Sequence, residues 1–104
     1  MEYRIKFTEQ CIEEIENICG YLNEKLKMEN ASIRLRTQIM KKVKQLINNP
    51  EMYITIKKKD RTKRTYRKIV INNYIILYTI DYVEGIVYIS HMYYGEQNYF
   101  QGLI

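Results

Sequence analysis

The run YIILYTID, residues 74–81, limits the possible folds more than any other part of the chain, because it is apolar or aromatic at nearly every position. Alternation along a strand sends Tyr74, Ile76, Tyr78 and Ile80 to one face and Ile75, Leu77 and Thr79 to the other. A strand that is apolar on both faces is central in its sheet and covered on both sides. The fold must therefore supply two covers. Arg64–Ile71 and Ile86–Tyr94 flank the run and are equally rich in Val, Ile and Tyr, the residues that suit a pleated surface. Tight turns are expected at Asn72-Asn73 and around Glu84-Gly85, which gives three successive strands.

The N-terminal half supplies one cover. Tyr3, Ile5 and Phe7 alternate with Arg4, Lys6 and Thr8, a strand with one wet face. Thr8 then offers a helix N-cap, and Ile12, Ile15, Cys19, Leu22 and Leu26 step in threes and fours to about Lys27. Gly20 lies inside this helix, and close packing against a neighbour is expected there. Asn30 is the expected cap of a second helix, with Ala31, Leu35, Ile39, Val43 and Leu46 as its stripe and Asn48-Asn49-Pro50 as its stop. Glu51–Ile56 reads as a connector or weak strand, and Tyr99, Phe100, Leu103 and Ile104 are expected to return to the core. The fold class is therefore α+β: an antiparallel β-sheet with an N-terminal α-helical hairpin packed on one face, in the order β-α-α-β-β-β. Residues 1–104 read as a single domain, the length at which one core suffices.

Composition bounds the function. No apolar run has membrane-spanning length, and the N-terminus alternates polar and apolar residues, so the expected location is the cytoplasm. Cys11 and Cys19 stand about 12 Å apart along a helix. They read as small buried hydrophobes, and neither a metal nor any other cofactor is expected. Lys and Arg outnumber Asp and Glu by 17 to 12, which favours a negatively charged partner.

No phosphate loop, paired histidine ligands or nucleophile elbow is present. The candidate chemistry is a basic and aromatic set at the sheet. Lys57, Lys58, Lys59, Arg61, Lys63 and Arg64 form the densest charge run, read either as a solvated loop or as a grip on nucleic acid. Arg67 and Lys68 are candidates for holding a scissile phosphate, or ordinary cross-strand partners of acidic residues. His91, Tyr93 and Tyr94 end the last strand. By simple alternation His91 shares a face with Val87 and Ile89, which suits a satisfied, partly buried histidine as well as a catalytic one. Attack of an RNA 2′-OH needs a base, an acid and cations, and these residue types can fill all three roles.

The segments YRIKFTEQCIEEIENICGYL, LINNP, YRKIVINNYIILYTID and VYISHMYYGEQNY, taken in order, resemble the RelE/ParE superfamily of toxins from bacterial type II toxin–antitoxin systems. The resemblance covers nearly the whole chain. It implies a growth-inhibiting toxin whose partner is a cognate antitoxin, a separate chain with an extended and helical segment that wraps around the toxin. Such a segment is expected to cover apolar sheet or helix surface left open here. RelE-type members cut mRNA in the ribosome, while ParE-type members poison DNA gyrase. The resemblance gives Arg67, Lys68, His91, Tyr93 and Tyr94 as catalytic candidates and metal-independent mRNA cleavage as the leading expectation, with gyrase inhibition as the alternative. Ile75 stands where many members carry Arg, and Glu96 where a basic residue is common. Both departures remove cations that cleavage would use.

Overall fold

The computed structural model describes residues 2–56 and 64–95. Strand β1 (Arg4–Phe7) leads into helix α1 (Glu9–Gly20), which continues as a π-helical turn over Tyr21–Lys25. Helix α2 (Glu29–Lys44) runs back and ends in a 3-10 turn, Gln45–Ile47. Strands β2 (Arg67–Ile71), β3 (Tyr74–Asp81) and β4 (Ile86–Tyr94) follow. The order is β-α-α-β-β-β, as the sequence patterns require.

Local chemistry explains the boundaries. The Thr8 hydroxyl accepts from the Cys11 N–H at 3.1 Å and caps α1. α2 starts before Asn30, at Met28, where no side chain caps the helix. At Gly20 the expected close approach is absent: an added Cβ would meet nothing within 4 Å. Asn72 adopts φ 53° in the β2–β3 turn and Gly85 φ 69° in the β3–β4 turn, conformations that favour Asn and Gly.

The sheet order is β1-β4-β3-β2. β2, β3 and β4 pair antiparallel, but β1 enters beside β4 in parallel, with Arg4 opposite Ile86 and Phe7 opposite Ile89. The helical hairpin carries the chain across the sheet between β1 and the later strands, and a crossover of that length permits a parallel pair. The sheet is thus mixed where uniform antiparallel pairing was expected.

β3 is central and covered on both faces. Ile76 and Tyr78 join Cys11, Ile15, Leu35, Ile39, Val43 and Leu46 in the core beneath the helices. Ile75 and Leu77 join Ile56 and Tyr66 on the opposite face, with Tyr93 packed against them. The second cover therefore comes from this chain, through the segment that precedes β2. The helical side retains open apolar surface at Ile12, Ile33 and Met40. No helix of the described residues is long and apolar enough to cross a membrane.

Candidate functional site

Strand alternation sorts the candidates until it is interrupted in β4. Tyr78 pairs with Ile89 while Leu77 pairs with His91, so Ser90 is an extra residue in the ladder. Such a bulge shifts the alternation by one position. Val87 and Ile89 point into the helix-side core, and after the bulge Met92 takes that role. His91 and Tyr93 turn to the other face. The expectation that His91 shares a face with Val87 and Ile89 fails for this reason.

A row then crosses three strands on the face away from the helices: Lys68 opposite Leu77, and Leu77 opposite His91. His91 is nearly enclosed. Its ring stacks on Tyr93 with centroids 5.6 Å apart and leans on Tyr66 at 5.9 Å. Its Nδ1 is buried without a hydrogen bond and stands 3.8 Å from Oε1 of Glu14. That same carboxylate oxygen accepts from the Met92 N–H at 3.1 Å, where α1 lies along the part of β4 that β1 does not reach. Burial and the Glu14 charge push the Tyr93 phenol up to about 12, so at neutral pH it keeps its proton and cannot serve as a general base.

Arg67 and Tyr94 stand apart from this row. One guanidinium nitrogen of Arg67 donates to the carbonyls of Tyr53, at 2.7 Å, and Glu51, at 3.2 Å, and another lies 3.5 Å from the Glu51 carboxylate. These contacts hold the 51–53 connector onto β2. Tyr94 lies against Tyr74, with ring centroids 5.4 Å apart, and is exposed. The structure thus brings together Lys68, His91 and Tyr93 but neither Arg67 nor Tyr94. Lys57, Lys58, Lys59, Arg61 and Lys63 lie outside the described residues; Arg64 is described and exposed.

Arg64 borders an open cleft of about 950 Å³. Thr8, Tyr88, Ser90, Thr79 and Thr65 line it, with Arg67, Asp81, Tyr82 and Val83 completing the wall. Sequence reasoning missed this cleft and Glu14. The hydroxyl residues come from β3, β4 and the residues beside β1 and β2, so nothing in linear spacing groups them. Glu14 had one legible signal: it stands three residues after Cys11 and one before Ile15, on the buried side of α1.

Comparison with known proteins follows from this geometry. Residues 5–99 match the family model described as the ParE toxin of the type II toxin–antitoxin system, parDE. Among solved structures, the chain is similar to the chromosomal ParDE toxin–antitoxin system from P. aeruginosa, with TM-score 0.71 and 11% identity over 91% of this chain and 98% of that one. It is also similar to the archaeal RelE–RelB complex from Pyrococcus horikoshii OT3, with TM-score 0.53 and 15% identity over 93% of this chain and 99% of that one. At such identities the two structures establish the fold alone. No curated protein sequence matches the chain.

Proposed function

The chain belongs to the ParE toxin family of type II toxin–antitoxin systems, and from that premise we propose that it arrests growth by inhibiting DNA gyrase through protein contacts, without cutting RNA. The observation that carries this reading, beside the family match over residues 5–99, is the dispersal of the five residues a nuclease of the RelE type would use. Arg67 is engaged by the 51–53 connector, and Tyr94 lies against Tyr74. Cleavage needs a base, an acid and cations on one phosphate; Lys68, His91 and Tyr93 share one face, but Arg67 and Tyr94 do not join them there.

A cognate antitoxin is the proposed partner, in keeping with the complexes to which the fold is similar. Its docking surface on this chain is the groove of about 270 Å³ between α1 and α2, lined by Phe7, Ile12, Ile15, Ile39 and Met40. Ile12 and Met40, each about half exposed on the helical hairpin, suit the apolar face of a partner helix.

The row Lys68–Leu77–His91, with Tyr93 beside it, favours ribosome-dependent mRNA cleavage as a second reading. One experiment separates the two. The chain is induced alone, new 5′ ends are mapped across the transcriptome, and the purified protein is added to a gyrase supercoiling reaction. Inhibited supercoiling with intact messages is the expected result. Cuts inside translated codons, with supercoiling unaffected, would replace the gyrase reading by the nuclease one.

A further inference from the structure

Charge is placed unevenly along this chain. Residues 30–50 hold five cations, Arg34, Arg36, Lys41, Lys42 and Lys44, and no Asp or Glu. The whole chain has 17 cations against 12 acidic residues, so everything outside this segment balances to zero. The neighbouring helix α1 carries Glu9, Glu13, Glu14 and Glu16 and no Lys or Arg. Among the described residues only Arg36 crosses to it, meeting Glu16 at 2.8 Å. Arg34, Lys41, Lys42 and Lys44 make no ion pair or side-chain hydrogen bond among the described residues.

Helical geometry gathers three of these cations on one face. α2 buries Ser32, Leu35, Ile39 and Val43. Arg34 and Lys41, seven residues apart, project within about 20° of each other, and Lys44 lies about 60° further round, all away from the buried stripe. The three are exposed and span about 15 Å of helix. Thr37, Gln38 and Gln45 stand among them, also exposed, so the face holds no apolar or aromatic side chain. Met40 lies on the flank toward α1, where it lines the groove with Arg36, and Ile33 falls on that same flank. Lys41, Lys42 and Lys44 in the last turn complement the helix dipole, but Arg34 in the second turn gains nothing from it.

Each class of anionic partner makes its own demand. An acidic protein surface needs buried aromatic or apolar anchors. A membrane surface needs apolar side chains beside the cations, and single-stranded nucleic acid needs aromatic rings for its bases. This face has none of these. Duplex RNA is recognised across two successive minor grooves, more than about 15 Å of one helix can reach. B-form DNA presents a phosphate charge every 1.7 Å or so of its axis, and its backbone asks only for cations and polar donors.

We propose that the outward face of α2 docks on the phosphate backbone of double-stranded DNA. Arg34, Lys41 and Lys44 are the phosphate contacts, with Gln38 and Gln45 as donors beside them. The face is separate from the α1–α2 groove, so DNA and a partner helix can be held at once.

Fluorescence anisotropy of a short labelled DNA duplex, titrated with the purified chain at several salt concentrations, tests this. Neither gyrase nor ribosomes are present, so the outcome is independent of the gyrase reading. An RNA duplex of the same sequence, single-stranded DNA and polyglutamate serve as comparisons. Lys41→Gln with Lys44→Gln removes two charges from the face, and Lys6→Gln with Lys25→Gln removes two exposed charges elsewhere. The α2 pair is expected to weaken DNA binding by roughly tenfold or more and to flatten the slope of log K against log[salt] by about 2. The control pair weakens it by less than about threefold, and Arg34→Gln alone flattens the slope by about 1. Equal losses from the two pairs, or no binding of duplex DNA at low salt, would overturn the proposal. So would binding of polyglutamate, single-stranded DNA or the RNA duplex as tight as that of the DNA duplex.

Discussion

Arg36 and Arg67 are both ion-paired, and their surroundings give them different weights. Arg36 meets Glu16 through two contacts of 2.8 Å between α1 and α2, and the hydrogen bond from Arg36 holds the Glu16 carboxyl below its usual range. The pair is exposed, so water and salt screen most of its worth. The Arg67 side chain is 17% exposed and satisfies two backbone carbonyls as well as Glu51. Arg67→Ala leaves those carbonyls short of a donor and is expected to cost about 1–3 kcal/mol, whereas Arg36→Ala changes stability little. Urea midpoints of the two variants at one pH check the contrast. If Arg67→Ala abolished toxicity at unchanged stability, Arg67 would be a contact residue and not a fastener.

Alkaline pH provides a second probe at the same scale. Burial pushes the Cys11 thiol from 9.0 up to about 12, and the Tyr78 and Tyr93 phenols from 10.0 up to about 12. In each case the folded state holds the proton more tightly than the unfolded chain. The resulting stability is complete below the unfolded value and is lost as pH rises through the folded one. Denaturant midpoints are therefore expected to hold up to about pH 9 and to fall between about 9 and 12. Tyr93→Phe keeps the ring contacts with His91 and removes one titrating group, so its decline over that window is shallower. An unchanged slope would show that the Tyr93 phenol is not shielded.

At the scale of elements, the strands and helices were legible because each carries a period of its own. Thr8 as a cap, the α2 stripe and the turn at Asn72 follow from residue type and spacing. The parallel placement of β1 and the bulge at Ser90 were not legible. Both are choices of pairing, and a strand pattern specifies faces but not neighbours or an extra residue. That single residue decides which way His91 points, so the candidate site was harder to read than the elements that carry it. Gly20 shows the converse error, since a helical glycine suggested a close neighbour and the structure has open space. Its φ of −63° is one that any residue adopts. Gly20→Ala is expected to stabilise the chain by about 0.5–1 kcal/mol, by removing freedom from the unfolded state and favouring the helix. A rise in the urea midpoint at constant slope checks this. A fall would mean that the passage from α-helix to π turn depends on the glycine.

For the whole molecule the decisive property is that β3 is buried on both sides. A toxin whose second sheet face waited for its partner would be only half folded alone. Here Ile56 and Tyr66 close that face, with Tyr66 1% exposed and Leu77 beneath it fully buried. A partner that binds only the folded chain adds to its stability by mass action. The isolated chain is therefore expected to unfold in one cooperative transition, with different probes coinciding. Tyr66→Ala should lower its stability by about 3–5 kcal/mol, the cost of removing a large aromatic from a packed interior. Far-UV circular dichroism and tyrosine fluorescence, followed through the same urea titration, measure both expectations. A loss below about 1 kcal/mol would mean that Tyr66 covers an already wet face, as a surface change does. The second cover would then have to come from the partner.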